Sequence, residues 1–204
     1  MIISIFKKQS DNLGVGIGTG FFITSKIILT AYHNVNLNSG EEISFYTTIG
    51  NSFFNLNLIN YNCQKDLAKF EIIGFESESY YNLSTSLPVL SQKVNLLGFS
   101  VDTNEKMPKL IVNNIKTTVL DVIRERRTTG DIYECNLIFQ GFMLNTVSTG
   151  GMSGGPIIND TGEVLGVLTG NDRFYRNLPI EPNNWEAKAL IIGINEIETL
   201  NDSN

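Results

Sequence analysis

The sequence predicts an all-β fold whose strands fall into two sets of about six. Three observations carry that reading. Short apolar or alternating runs recur along the whole chain, turn residues punctuate them, and no helical period of about 10–15 residues separates them. The first set of runs is Met1–Phe6, Gly20–Thr24, Ile27–Leu29, Ile43–Tyr46, Phe53–Ile59 and Leu67–Ile73. The second is Val94–Phe99, Leu110–Val112, Thr117–Ile123, Tyr133–Phe139, Gly155–Ile158, Val164–Thr169 and Ala189–Ile194. This spacing speaks against a parallel α/β sheet and favours a sandwich or barrels. Between the sets lies Glu76–Ser91, rich in Ser, Tyr and Glu, which reads as a crossing between two barrels. A single domain over 1–204 follows, with one barrel at about 1–78, the crossing at about 76–91 and the other barrel at about 92–204. The one helix signal is terminal, where Asn195 can cap Glu196–Leu200.

Composition narrows the function. A chain of 204 residues is long enough to bury a proper core without metal or disulfide support. No apolar run approaches the roughly 18 residues of a membrane span. The start, Met1-Ile-Ile-Ser-Ile-Phe-Lys-Lys8, is apolar first and basic second, the reverse of a secretory signal, and reads as a first strand. Fifteen Lys and Arg against 21 Asp and Glu give a net charge of −6, which argues against nucleic-acid binding. Arg124–Arg127 is a local basic exception and reads as a solvated loop face. Cys63 and Cys135 have no framework spacing and read as two reduced thiols of a cytoplasmic protein.

Catalytic chemistry is suggested at Gly151-Met-Ser-Gly-Gly155, which fits G-x-S-x-G but alone is also an ordinary tight turn. The chain has one histidine, His33, and it precedes Ser153. A Ser–His mechanism must therefore use an upstream base, an order the α/β-hydrolases cannot supply and the all-β double barrels do. His33 follows the apolar run Ile27–Leu29 and opens a polar turn, where a rigid scaffold can present it. Asp66 follows the turn Asn62–Lys65 and opens Leu67–Ile73, a strand mouth at which a carboxylate can be buried and aimed. Asp102, Asp121 and Asp131 lie beyond the crossing. Gly14–Gly20 has no G-x-G-x-x-G register and no following helix, so it reads as a Gly-rich strand entry. One histidine and two distant cysteines are too few for a zinc site, and no metal or cofactor is expected.

Taken in order, Gly18-Thr-Gly-Phe-Phe-Ile23, Leu29-Thr-Ala-Tyr-His33, Asp66-Leu-Ala68 and Gly151-Met-Ser-Gly-Gly-Pro-Ile157 resemble the successive signatures of trypsin-like serine peptidases. The nearest flavour is the bacterial HtrA/Deg protease domain without its PDZ modules. The likeness runs from about Gly14 to Ile197. It implies two six-stranded antiparallel β-barrels of chymotrypsin-like fold with the site in the cleft between them. It also implies a serine endopeptidase working through an acyl-enzyme, with Ser153 as nucleophile, His33 as general base and Asp66 orienting the imidazole. By the same resemblance the N–H groups of Gly151 and Ser153 form the oxyanion hole. Thr169, Gly170 and Asn171 pair with the substrate main chain, and the pocket for the residue before the cut has its base near Val147 and Ser148. With no acid at that base, a small or apolar residue is the expected preference, although Asp131 or Asp172 could reach the pocket.

Two positions depart from secreted relatives. Ala31-Tyr-His-Asn34 lacks the cysteine they carry beside the histidine, and Met152 replaces the aspartate that pairs with a new N-terminus after zymogen cleavage. No activation by N-terminal processing is expected; the loops Ser100–Lys109 and Arg124–Asp131 are the candidate switches. The expected partners are a protein or peptide substrate, specifically one dedicated co-encoded protein, together with a regulatory partner or a larger host polypeptide. Neither nucleic acid nor membrane is expected. Two competing readings are a catalytically silent or conditionally active binding scaffold, and an esterase on the same triad.

Overall fold

The computed structural model describes residues 1–9, 12–35, 44–102, 109–128, 137–171 and 189–200. The first barrel comprises β1 (Ile2–Gln9), β2 (Asn12–Phe22), β3 (Ile27–Thr30), β4 (Ser44–Ile49), β5 (Ser52–Asn62) and β6 (Leu67–Ile72). The second comprises β7 (Lys93–Asp102), β8 (Lys109–Thr128), β9 (Leu137–Leu144), β10 (Pro156–Ile158), β11 (Val164–Asn171) and β12 (Ala189–Gly193). The strand orders are β1-β2-β3-β6-β5-β4 and β10-β11-β12-β9-β8-β7, and both sheets close. Every pairing between these strands is antiparallel, with β1–β4 and β7–β10 closing the two barrels. The fold is the chymotrypsin-like double barrel that the motifs imply.

Several strands read as continuous apolar runs because both of their faces are buried. Ala68, Phe70 and Ile72 fill the first barrel, whereas Leu67 of the same strand enters a core between the barrels. Phe22 and Ile28 point inward while Phe21 and Leu29 join that shared core. On the other side, Leu165 and Leu168 fill the second barrel, and Val164 and Val167 meet Phe21, Leu29 and Leu67. Two barrels are thereby fixed side by side, and the ends of β3, β6 and β11 converge on the seam.

Some local expectations are corrected. Leu110–Val112 and Thr117–Ile123 belong to one long strand, β8, paired first with β7 and then with β9. Arg124–Arg127 lies in that strand rather than in a loop, with Arg126 opposite Phe139. Of the two loops read as switches, Ser100–Asp102 and Lys109 belong to the β7–β8 hairpin and Arg124–Thr128 to β8; 103–108 and 129–131 lie outside the described residues. The terminal helix is a 3₁₀ segment, Ile194–Leu200, with Asn195 inside it and donating to the Gln140 side chain at 3.0 Å instead of capping. Cys63 is disulfide-bonded, against the reading of reduced thiols; Cys135, the other cysteine of the sequence, lies outside the described residues. Among the described residues no helix is long and apolar enough to cross a membrane.

Candidate active site

The site begins with two short turns of the first barrel. β3 ends at Thr30, and a 3₁₀ turn, Tyr32–Asn34, carries His33. A second turn, Cys63–Lys65, leads into Asp66, capped by the Asn62 side chain, which accepts from the Lys65 N–H at 3.1 Å. Asp66 adopts the left-handed conformation, φ 48° and ψ 44°, which aspartate tolerates better than most side chains. That geometry turns its carboxylate back toward β3. It accepts from the His33 N–H at 2.8 Å and lies 2.8 and 3.1 Å from His33 Nδ1. The Thr169 hydroxyl of β11 donates to the same carboxylate from the second barrel. Asp66 is 1% exposed, so these donors replace the water it has lost. A carboxylate only accepts, so the imidazole carries its proton on Nδ1 and leaves Nε2 as the basic nitrogen.

Ser153 stands in a loop fixed by its backbone. Gly151 and Gly154 have φ of +91° and +85°, and a Cβ on Gly154 would sit 2.2 Å from the Thr19 carbonyl oxygen. No side chain fits there. The Ser153 carbonyl accepts from the Thr19 N–H at 2.8 Å and from Asn34 Nδ2 at 2.9 Å, and the Gly154 N–H donates to the Leu168 carbonyl at 2.7 Å. Met152 is fully buried in the core of the second barrel against Gly98. Neither the Gly151 N–H, the Ser153 N–H nor the Ser153 hydroxyl bonds to a described residue.

This arrangement can be set beside known proteins. Residues 18–167 match the family described as trypsin-like peptidase domain, about three-quarters of the chain. The chain belongs to that family. No curated protein matches the sequence. Among solved structures, the active form of the Rv3671c protease from M. tuberculosis is similar at a TM-score of 0.74 and 17% identity, over 98% of this chain and 78% of that one. The MamO protease domain from Magnetospirillum magneticum, in its apo form, is similar at 0.67 and 14%, over 97% and 94%. At these identities the two support the fold.

Within this trypsin-like peptidase domain, His33 and Asp66 are brought into direct contact, and Thr169 joins them through its side chain. Thr169 was expected to present its main chain to substrate; its buried hydroxyl also serves Asp66. Gly170 and Asn171 end β11, paired with Leu190 and Ala189 of β12. On its other edge β11 pairs with β10 as far as Val167, and Leu168 exchanges backbone hydrogen bonds with Gly154 and Gly155. Val147 is exposed, and Ser148 donates from its N–H and hydroxyl to the Asn171 side-chain oxygen at 3.3 and 3.0 Å. Asp131 and Asp172 lie outside the described residues. Sequence reasoning missed Thr19, Thr30 and Asn34. The Gly18-Thr-Gly20 pattern signals a close backbone approach, but the partner across the seam is a long-range contact that no local pattern reports.

Proposed function

We propose that this domain is a serine endopeptidase in which Ser153, His33 and Asp66 form the catalytic triad. The observation that carries the reading is the His33–Asp66 pair: a buried carboxylate bonded to both the ring and the backbone of the only histidine, on a turn tied to the serine loop. Ser153 Oγ attacks the scissile carbonyl while His33 Nε2 takes its proton, then returns it to the leaving amine. Asp66 stabilises the imidazolium formed in between and keeps the productive tautomer. The carbonyl oxygen gathers charge beside the N–H groups of Gly151 and Ser153, which bond to no described residue. Donors so placed are each worth about 3–4 kcal/mol of barrier. Water then cleaves the acyl-serine by the same steps in reverse.

The end of β11 at Thr169, Gly170 and Asn171, beside the His33–Asp66 pair, suits an extended peptide added as a strand. Val147 and Ser148, uncharged and beside Asn171, suit a small or apolar residue before the cut. The substrate is a protein or peptide, proposed as one dedicated co-encoded partner, with control by a regulatory partner or a host polypeptide. The Cys63 disulfide removes the thiol ground for a cytoplasmic setting, since such bonds persist in oxidising compartments.

One observation favours a second reading, a conditionally active domain: the Ser153 hydroxyl bonds to no described residue. Catalytic hydrogen bonds are often long in free enzymes and tighten on substrate binding, so the feature also fits an active protease. Labelling with a fluorophosphonate probe separates the two. The wild type should label and Ser153→Ala should not; a wild type unreactive alone and with candidate partners would sink the protease reading. Cleaved peptides identified by mass spectrometry, rather than ester turnover alone, separate endopeptidase from esterase.

A further inference from the structure

We infer that Asn34 is a positioning residue that locks the base to the nucleophile across the seam, an inference resting on the roles just proposed for His33 and Ser153. Base and nucleophile belong to different barrels with different cores, so any slip between the barrels changes the Oγ–Nε2 separation. Asn34 is the residue after His33 and closes the same 3₁₀ turn. Its carboxamide is buried, at 5% exposure, and both of its N–H protons are committed. One goes to the carbonyl of Ser153 itself at 2.9 Å, the other to Thr30 Oγ1 at 3.1 Å. Because a carbonyl only accepts, the nitrogen of Asn34 is the atom that faces Ser153.

The surroundings are built for this contact. The Thr30 hydroxyl donates to the Thr19 carbonyl at 2.7 Å, and the Thr19 N–H donates to the same Ser153 carbonyl at 2.8 Å. Both lone pairs of that carbonyl are therefore held from the first barrel. Thr19 Oγ1 donates to the Gly151 carbonyl at 2.8 Å and accepts from the Phe99 N–H at 2.9 Å, which fixes the peptides on the other side of Met152. Gly18 makes the space: a Cβ there would lie 2.2 Å from Asn34 Nδ2. A side chain used only to fill the seam would need neither that glycine nor a donor aimed at the nucleophile's own carbonyl.

The test uses Asn34→Leu, which keeps the bulk and removes both donors, with Asn34→Ser as the smaller change. Two readouts are taken at a temperature where the variants are folded: steady-state kinetics with fluorophosphonate labelling, and the ring ¹⁵N–¹H signal of His33, unambiguous because the chain has one histidine. The expected result is a fall in kcat and in labelling rate on the order of 10- to 100-fold, the cost of slight misplacement of reacting groups, with KM within about twofold. The His33 ring signal should broaden or split as the turn loses its tie. A folded variant with wild-type kcat and an unchanged ring signal would overturn the inference, as would a loss of stability alone. If the wild type never labels, the protease reading fails, and the ring signal still decides the coupling. If Asn34→Leu does not fold, Asn34→Ser decides by the same readouts.

Discussion

Met152 stands beside the nucleophile, where secreted relatives place an aspartate for an ion pair. Here the side chain is fully buried in the second barrel with Val94, Leu96 and Leu168, so packing rather than charge holds the loop. Met152→Ala should lower unfolding free energy by about 2–5 kcal/mol, read by urea denaturation, and slow labelling of Ser153 at temperatures where the variant is still folded. A second residue-scale prediction concerns Thr169→Val, which preserves shape but removes a donor from the buried Asp66 carboxylate. Stability should fall by about 1.5–3 kcal/mol, the range for a hydrogen bond to a charged group, with kcat reduced and KM little changed. At this scale the sequence was half legible. Ser153 and His33 stand out by motif and by uniqueness. Asn34 beside His33 reads in sequence only as the absence of a cysteine, because its bonds to Thr30 and Ser153 depend on a seam that exists only after folding.

The turn before Asp66 is the element on which the site depends most. Its residues reach outward in two directions: Cys63 is disulfide-bonded, and Lys65 meets Glu196 of the terminal 3₁₀ segment at 2.8 Å. The other oxygen of Glu196 accepts from the Gln140 N–H of β9 at 2.8 Å, so the pair ties the first barrel to the second. Lys65→Met leaves a buried carboxylate short of its cation. The expected loss is about 1–3 kcal/mol, below that of a fully buried pair because Lys65 remains 21% exposed. Cys63→Ser should cost about 2–4 kcal/mol, and denaturation with and without reductant should show the same difference in the wild type. An unchanged midpoint in both would argue that the bond does not hold the turn. Strand existence was readable here from apolar runs, but extent was not. β8 runs across Asn113, Asn114 and Lys116, polar residues that break the pattern yet stay paired with β7, since a hairpin ladder needs backbone groups rather than apolar side chains. The left-handed Asp66 was equally silent, because aspartate is common in turns of every kind.

At the scale of the molecule, the fold class followed from strand count and punctuation, whereas the seam between barrels did not: Phe21 and Phe22 look alike in sequence, yet one faces the shared core and the other the barrel interior. The crossing between barrels is stitched to that seam. The Tyr81 N–H donates to the Phe22 carbonyl at 2.9 Å, and the Val164 and Ser84 N–H groups bond to Asn82 and Val164 carbonyls at 2.8 Å. The Tyr81 ring packs edge-on against Phe21, centroids 5.9 Å apart, and burial raises its phenol above the ordinary value of 10.0. Above about pH 10 the unfolded chain loses this proton first, so the folded state binds more protons and stability falls with rising pH until the folded phenol also ionises. Tyr81→Phe removes that pH dependence. Lys69, whose ammonium is pushed down by burial, contributes with the opposite sign but is common to both proteins and cancels. Unfolding free energies of wild type and Tyr81→Phe, measured at pH 8 and again above pH 10, should therefore shift in favour of the variant at the higher pH. A difference that stays constant across that interval would mean that Tyr81 ionises as freely in the folded protein as in the unfolded chain, and that the crossing is not clamped against the shared core.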